Sequence, residues 1–193
     1  MKKKWIGIVL AAVMLLSLAG CAGKEEEKSE AEVKTPVSAS DELLNKVWDC
    51  FSEDQKFYVM GGDFENSVYN AAGIFSMEDT DNLTYMLFIP ADNIGMIDEA
   101  ASMIHGMNAN TFTAAAFHLS DPADADVLVQ ALKDNITGTQ WICGFPDKLA
   151  IYVVNGEYVV SAFGSEDNMS NFMTYLVQVY GEDAVLKAEE SLL

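Results

Sequence analysis

The segment LAIYVVNGEYVVSAF, residues 149–163, constrains the fold more than any other part of the chain. Two runs rich in Val, Ile, Tyr and Ala flank Asn155-Gly156, a pair whose ease at positive φ suits a two-residue β-hairpin turn. An antiparallel sheet must therefore be part of the structure. The following stretch, GSEDNMSNFMTYLVQVY, places Met169, Phe172, Met173, Leu176 and Val179 or Tyr180 on one side at helical spacing. A strand-strand-helix order is expected over residues 149–180.

The preceding segment carries a similar pattern. TFTAAAFHL, flanked by turn residues and bearing Phe112 and Phe117, predicts a strand. Asp121-Pro122 then supplies a cap and a proline at the first helical position, and Val127, Leu128, Ala131 and Leu132 supply a buried helix face. Residues 98–105 read both ways, because an alanine-rich run suits a helix whereas Ala101, Met103 and His105 alternate as in a strand. With a strand there, the chain contains two β-β-α units forming a four-stranded antiparallel sheet with helices packed on it.

An N-terminal helical region is expected before these units. In SDELLNKVWDCF, Ser40 or Asp41 can cap a helix whose apolar face is Leu43, Leu44, Val47, Trp48 and Phe51. DTDNLTYMLF predicts a second, short helix capped by Thr80 or Asp81, with Leu83, Met86 and Leu87 inward and an end near Pro90. Residues 53–79 give no clear pattern beyond a short apolar run, Phe57 to Met60, before Gly61-Gly62. The fold class is thus α+β, in a single domain over residues 41–193, a length suited to one hydrophobic core.

Upstream, Lys2, Lys3 and Lys4 precede an uncharged run of 16 residues that ends before Cys21, the layout of a secretory signal peptide and shorter than a bilayer span. Leu18-Ala19-Gly20-Cys21 resembles the lipobox of bacterial lipoproteins. That resemblance implies a signal peptide over residues 1–20, cleavage before Cys21, and a diacylglyceryl group on its thiol; the alternative is an ordinary signal peptide with an incidental cysteine. Two acyl chains give stable anchoring where one binds a membrane only marginally. Residues 21–40 then form the anchor and a charged tether without aromatic residues, so the domain is expected at the extracytoplasmic face of the cell membrane.

Losing residues 1–20 removes three Lys and no acid, moving the formal charge from −19 to −22. The chain has no arginine, so it lacks the planar fork that grips phosphates, and nucleic acid and anionic substrates are disfavoured as partners. Cys50 and Cys143 remain as either a disulfide or two separately buried thiols. His105 and His118 are the only histidines, and neither has a Cys or His at ligand spacing. The acidic clusters DPADAD and EDTDN lack the EF-hand pattern and suit helix capping. No catalytic residue, metal site or cofactor is assigned. Trp141-Ile142-Cys143-Gly144-Phe145-Pro146 resembles a thioredoxin site but lacks the second thiol that exchange requires. It is either a loop with Trp141 and Phe145 tucked into the core or one wall of an aromatic ligand groove.

The order DNIGMIDEAASMIHGMNANTFTAAAFHLSDPADADVLVQALKDNI, with a Met107-Asn108 turn and then the hairpin GEYVVSAFG, resembles a family of uncharacterised lipoproteins of Gram-positive anaerobes, known as a domain of unknown function. Some members carry the label bacteriocin transport accessory protein. The likeness spans about residues 41–180 and implies topology and location; QWICGFPDKLA departs from the family. The expected function is that of a non-enzymatic, membrane-anchored lipoprotein that binds a protein or cationic peptide partner. The rival is a solute- or cation-binding lipoprotein with a groove near Trp141 and Phe145.

Overall fold

Strands that bury both faces have no polar side to alternate with, and this chain's central strands are of that kind. The computed structural model describes residues 35–107 and 111–193. The signal peptide, Cys21 and the tether up to residue 34 lie outside the described residues, as does Asn108 of the expected turn. The elements are α1 (Ser40–Trp48), β1 (Val59–Gly61), β2 (Val68–Tyr69), β3 (Gly73–Phe75), α2 (Thr80–Leu87), β4 (Ile97–His105), β5 (Phe112–Leu119), α3 (Ala125–Thr137), β6 (Lys148–Val154), β7 (Tyr158–Gly164), α4 (Glu166–Tyr180) and β8 (Ala184–Ser191). Short 3-10 turns occur at Ala91–Met96, Pro122–Asp124 and Gly181–Asp183.

The class is α+β, but the antiparallel sheet has eight strands rather than the expected four, in the order β2-β1-β4-β5-β7-β6-β8, with β3 also paired to β4. The ambiguous segment 98–105 is a strand, because its two sides meet opposite layers: Ala101 and Met103 one helix pair, Ala100 and Ile104 the other. The unpatterned region 53–79 holds three short strands, two of which share the outer edge of β4. Strand β8 was not expected at all. It is an edge strand, mostly exposed, and its Lys187, Glu189 and Glu190 blunt the open edge instead of marking a buried face.

Connectivity explains the layering. Strands β5 and β6 run parallel with β7 between them, bridged by α3; β7 and β8 run parallel with β6 between them, bridged by α4. Both bridges advance the same way across the sheet, yet they leave from antiparallel strands. The right-handed preference of such crossovers therefore sends the two helices to opposite faces. Helices α1 and α4 cover one face, and α2 and α3 the other. On the first, Ala101, Ala114, Ala116, Ala150 and Ala162 leave room for Leu43, Leu44, Trp48 and Phe172.

Local signals act one residue away from where they were expected. Helix α1 starts after Ala39, and the Ser40 N–H donates to the Glu99 carboxylate from β4, 2.6 Å away, so the sheet rather than a neighbouring side chain caps it. The α2 cap is Asp79, not Thr80 or Asp81; its carboxylate accepts from the Asn82 N–H. In the hairpin, Asn155 and Gly156 both hold positive φ, and the Glu157 N–H donates to the Val154 carbonyl. Three residues, not two, separate the paired Val154 and Tyr158.

Candidate functional site

One row of cross-strand neighbours organises the α2/α3 face: Met60 pairs with Ile104, Ile104 with Thr113, Thr113 with Phe163, and Phe163 with Leu149. Over Phe163 lie Phe88, edge-on with centroids 5.1 Å apart, and Trp141, tilted at 5.3 Å. Phe88 ends α2 in the left-handed region, at φ 61°, and its carbonyl accepts from the Asn135 side-chain amide of α3 at 2.7 Å. That bond ties the two helices together. Beyond it, Ile104 and Thr113 form the floor of an open groove of about 890 Å³ between α2 and the loop after α3. Tyr85 (79% exposed) and Ile142 (83%) also line it.

Two polar side chains of the groove are committed within the protein, and Thr80, Asp81, Thr84 and Gln140 also line it at exposed or half-buried positions. Asn135 serves the Phe88 carbonyl, and the Thr139 hydroxyl donates to the Asn135 carbonyl. Thr113 differs. Its residue is only 7% exposed, it lines the groove, and its hydroxyl has no hydrogen-bond partner among the described residues. By contrast the nearby Ser102 hydroxyl donates to the Gly62 carbonyl at 3.0 Å.

Charge around the groove is one-sided. Each described lysine is already paired: Lys46 with Glu42, Lys56 with Glu53, Lys133 with Glu190, Lys148 with Glu166 and Glu189, and Lys187 with Asp126. Residues 41–193 hold 25 acids against 5 lysines, so the acidic excess meets no free lysine among the described residues. Asp81, at the start of α2, is the ionisable carboxylate of the groove lining.

Trp141 thus sits half-buried in the groove wall, whereas Phe145 is 66% exposed and is not among the lining residues. The structure does not bring the two together in the core. Cys50 and Cys143 are both free thiols. Cys143 is exposed beside Trp141 in the groove, not buried as a core thiol would be, because its loop projects past the end of α3.

The histidines stand in separate places. His105 stacks on Phe57 at 4.8 Å, its Nδ1 accepts from the Met107 N–H, and burial pushes its pKa down. It lines a small cavity of about 180 Å³ that shares Met86 and Ile104 with the groove. His118 pairs with Asp98 on an exposed part of the sheet. Neither ring is hydrogen-bonded to a hydroxyl or thiol among the described residues, so the geometry assembles no activated nucleophile around them. The acidic clusters act as caps and ties: Asp121 accepts from the Ala123 N–H, and Asp126 pairs with Lys187. Among the described residues no group of three or more His, Cys, Asp or Glu is placed to hold a metal ion.

Sequence reasoning found one wall of the groove and missed the rest. The available signals were a hydroxyl at Thr113 in an otherwise apolar strand face, and an exposed Ile142 beside Trp141. Comparisons with protein-family models, curated proteins and solved structures found no match.

Proposed function

We propose that this chain is a lipoprotein anchored at the extracytoplasmic face of the cell membrane through Cys21, and that its domain binds a cationic amphipathic segment of a protein or peptide without catalysing a reaction. The finer topology, two β-β-α units as the structural unit shared with the lipoprotein family it resembles, belongs to the same proposal. The observation that carries the binding reading is an open groove of about 890 Å³, walled by Phe88 and Trp141, in a domain with no free lysine among its described residues. Ligand sites commonly have this size and apolar character. Acid excess raises the encounter rate with a cation, while apolar contact in the groove gives residence.

Trp48 and Trp141 are the tryptophans after the signal peptide, and Trp48 is buried with its indole N–H on the Asn70 carbonyl. Intrinsic fluorescence of residues 21–193 therefore reads the groove. Titration with a basic amphipathic peptide should give a saturable change that weakens as NaCl rises and disappears in Trp141→Phe. No saturable change at low salt would refute the peptide reading. A rise in melting temperature with Ca²⁺ instead would favour the cation-binding alternative. For anchoring, Cys21→Ser should leave an uncleaved or shed chain; unchanged membrane fractionation of the mature form would exclude lipidation there.

A further inference from the structure

The groove has a polar point at its bottom. Thr113 lies in the cross-strand row of Met60, Ile104, Thr113, Phe163 and Leu149, whose other members are all apolar. A hydroxyl that deep is tolerable while water reaches it, but a ligand that expels the water must replace the lost hydrogen bond. We infer that Thr113 is a specificity-determining residue of the groove, selecting a tyrosine side chain of a basic segment, its ring packed against the Phe88–Trp141 pair and its phenol hydroxyl on the Thr113 hydroxyl. The inference rests on the peptide-binding reading above.

Other side chains fit less well. A phenylalanine packs against the same aromatic pair but leaves Thr113 unpaired once water is gone. A lysine tip would bring an ammonium to a floor where Ile104 is apolar and Asn135 and Thr139 are already committed, and a single hydroxyl does not compensate a buried charge. Serine or asparagine has the polar group without the apolar ring to cover the Phe88–Trp141 pair. Tyrosine joins an apolar ring to a tip that both donates and accepts, as the hydroxyl of Thr113 does. Basic neighbours in the peptide would lie over the rim, near Asp81.

The test is a two-by-two cycle on residues 21–193: two basic peptides differing only by Tyr or Phe at one position, against the parent and Thr113→Val, an isosteric change without the hydroxyl. The parent should prefer the Tyr peptide by about three- to tenfold, the range of a neutral hydrogen bond, and Thr113→Val should lose that preference. Thr113→Ser, which keeps the hydroxyl, should restore it. An equal Tyr/Phe ratio in the parent and Thr113→Val overturns the inference while leaving peptide binding intact. Failure of the parent to bind either peptide overturns the peptide reading and this inference with it.

Discussion

Gly61→Ala tests how the chain closes the outer edge of its sheet. Gly61 and Gly73 sit opposite consecutive residues of β4, Met103 and Ser102, so β1 and β3 meet along one edge. A Cβ on Gly61 would lie 2.2 Å from the Gly73 nitrogen, 2.5 Å from the Ala71 oxygen and 2.5 Å from the Ala72 carbonyl carbon. Gly61 is not among the residues with positive φ, so the expected effect is purely one of space. The obstructing atoms are all backbone, and β3 is held by its pairing to β4, so no side chain can swing aside. Overpacking a well-filled site by one carbon costs about 1–3 kcal/mol, and three simultaneous collisions argue for about 3 kcal/mol. For a domain of this size that lowers the melting temperature by roughly 6–12 °C. Circular dichroism melts of Gly61→Ala should be compared with Gly95→Ala, whose Cβ meets nothing within 4 Å and should act as an ordinary surface change. Urea unfolding should show a lower midpoint at unchanged slope. A melting temperature for Gly61→Ala equal to that of Gly95→Ala would mean that β1 and β3 do not pack edge to edge.

Gly156→Val probes the hairpin by the opposite mechanism: φ is +76° and nothing lies within 4 Å of the added carbon, so conformational strain alone should cost about 1–2 kcal/mol, seen as a melting temperature lower by roughly 2–8 °C. An unchanged melt would place the turn elsewhere. Asp63, 4% exposed, predicts an acid-sensitive loop. Burial pushes its carboxyl up, but hydrogen bonds from the Asn66 side chain and the backbone N–H groups of Asn66, Ser76 and Glu65 outweigh that and hold it below the usual range. A depressed folded value means stability present above the ordinary carboxylate range and lost as pH falls through the lowered value, so amide exchange over residues 63–76 should accelerate on acidification before that of the central strands. Asp63→Asn should cost about 1.5–3 kcal/mol at neutral pH and flatten this dependence; a variant as pH-sensitive as the parent would assign the effect to other groups.

The elements that sequence alone made legible are those whose causes are local. Asn155-Gly156 needs only its own φ preferences to turn, Asp121-Pro122 only its own geometry to start the 3-10 turn that leads into α3, and the Met169, Phe172 and Leu176 stripe only helical spacing to mark the inner face of α4. Charge was equally legible, since composition states it without a fold. The α1 cap escaped local reading because the partner of the Ser40 N–H, Glu99, comes from β4, which no local window contains.

What tertiary structure decided is whatever depends on neighbours distant in the chain. Strands β1 to β3 are two or three residues long; β1 and β3 hold because β4 offers them an edge, and β2 because β1 does, while β8 buries no residue and so carries no apolar face to read. The groove is of the same kind. Met86, Ile104, Thr113 and Trp141 come from four segments, and only Trp141 stood out within its own as part of a site. They form one because two crossovers of the same hand leave antiparallel strands, putting α3 on the face opposite α4, beside α2, with the Phe88–Asn135 bond joining α2 and α3 at one point. The gap beyond that bond uncovers Thr113, and its position follows from strand order and helix length, quantities that local sequence preference does not specify.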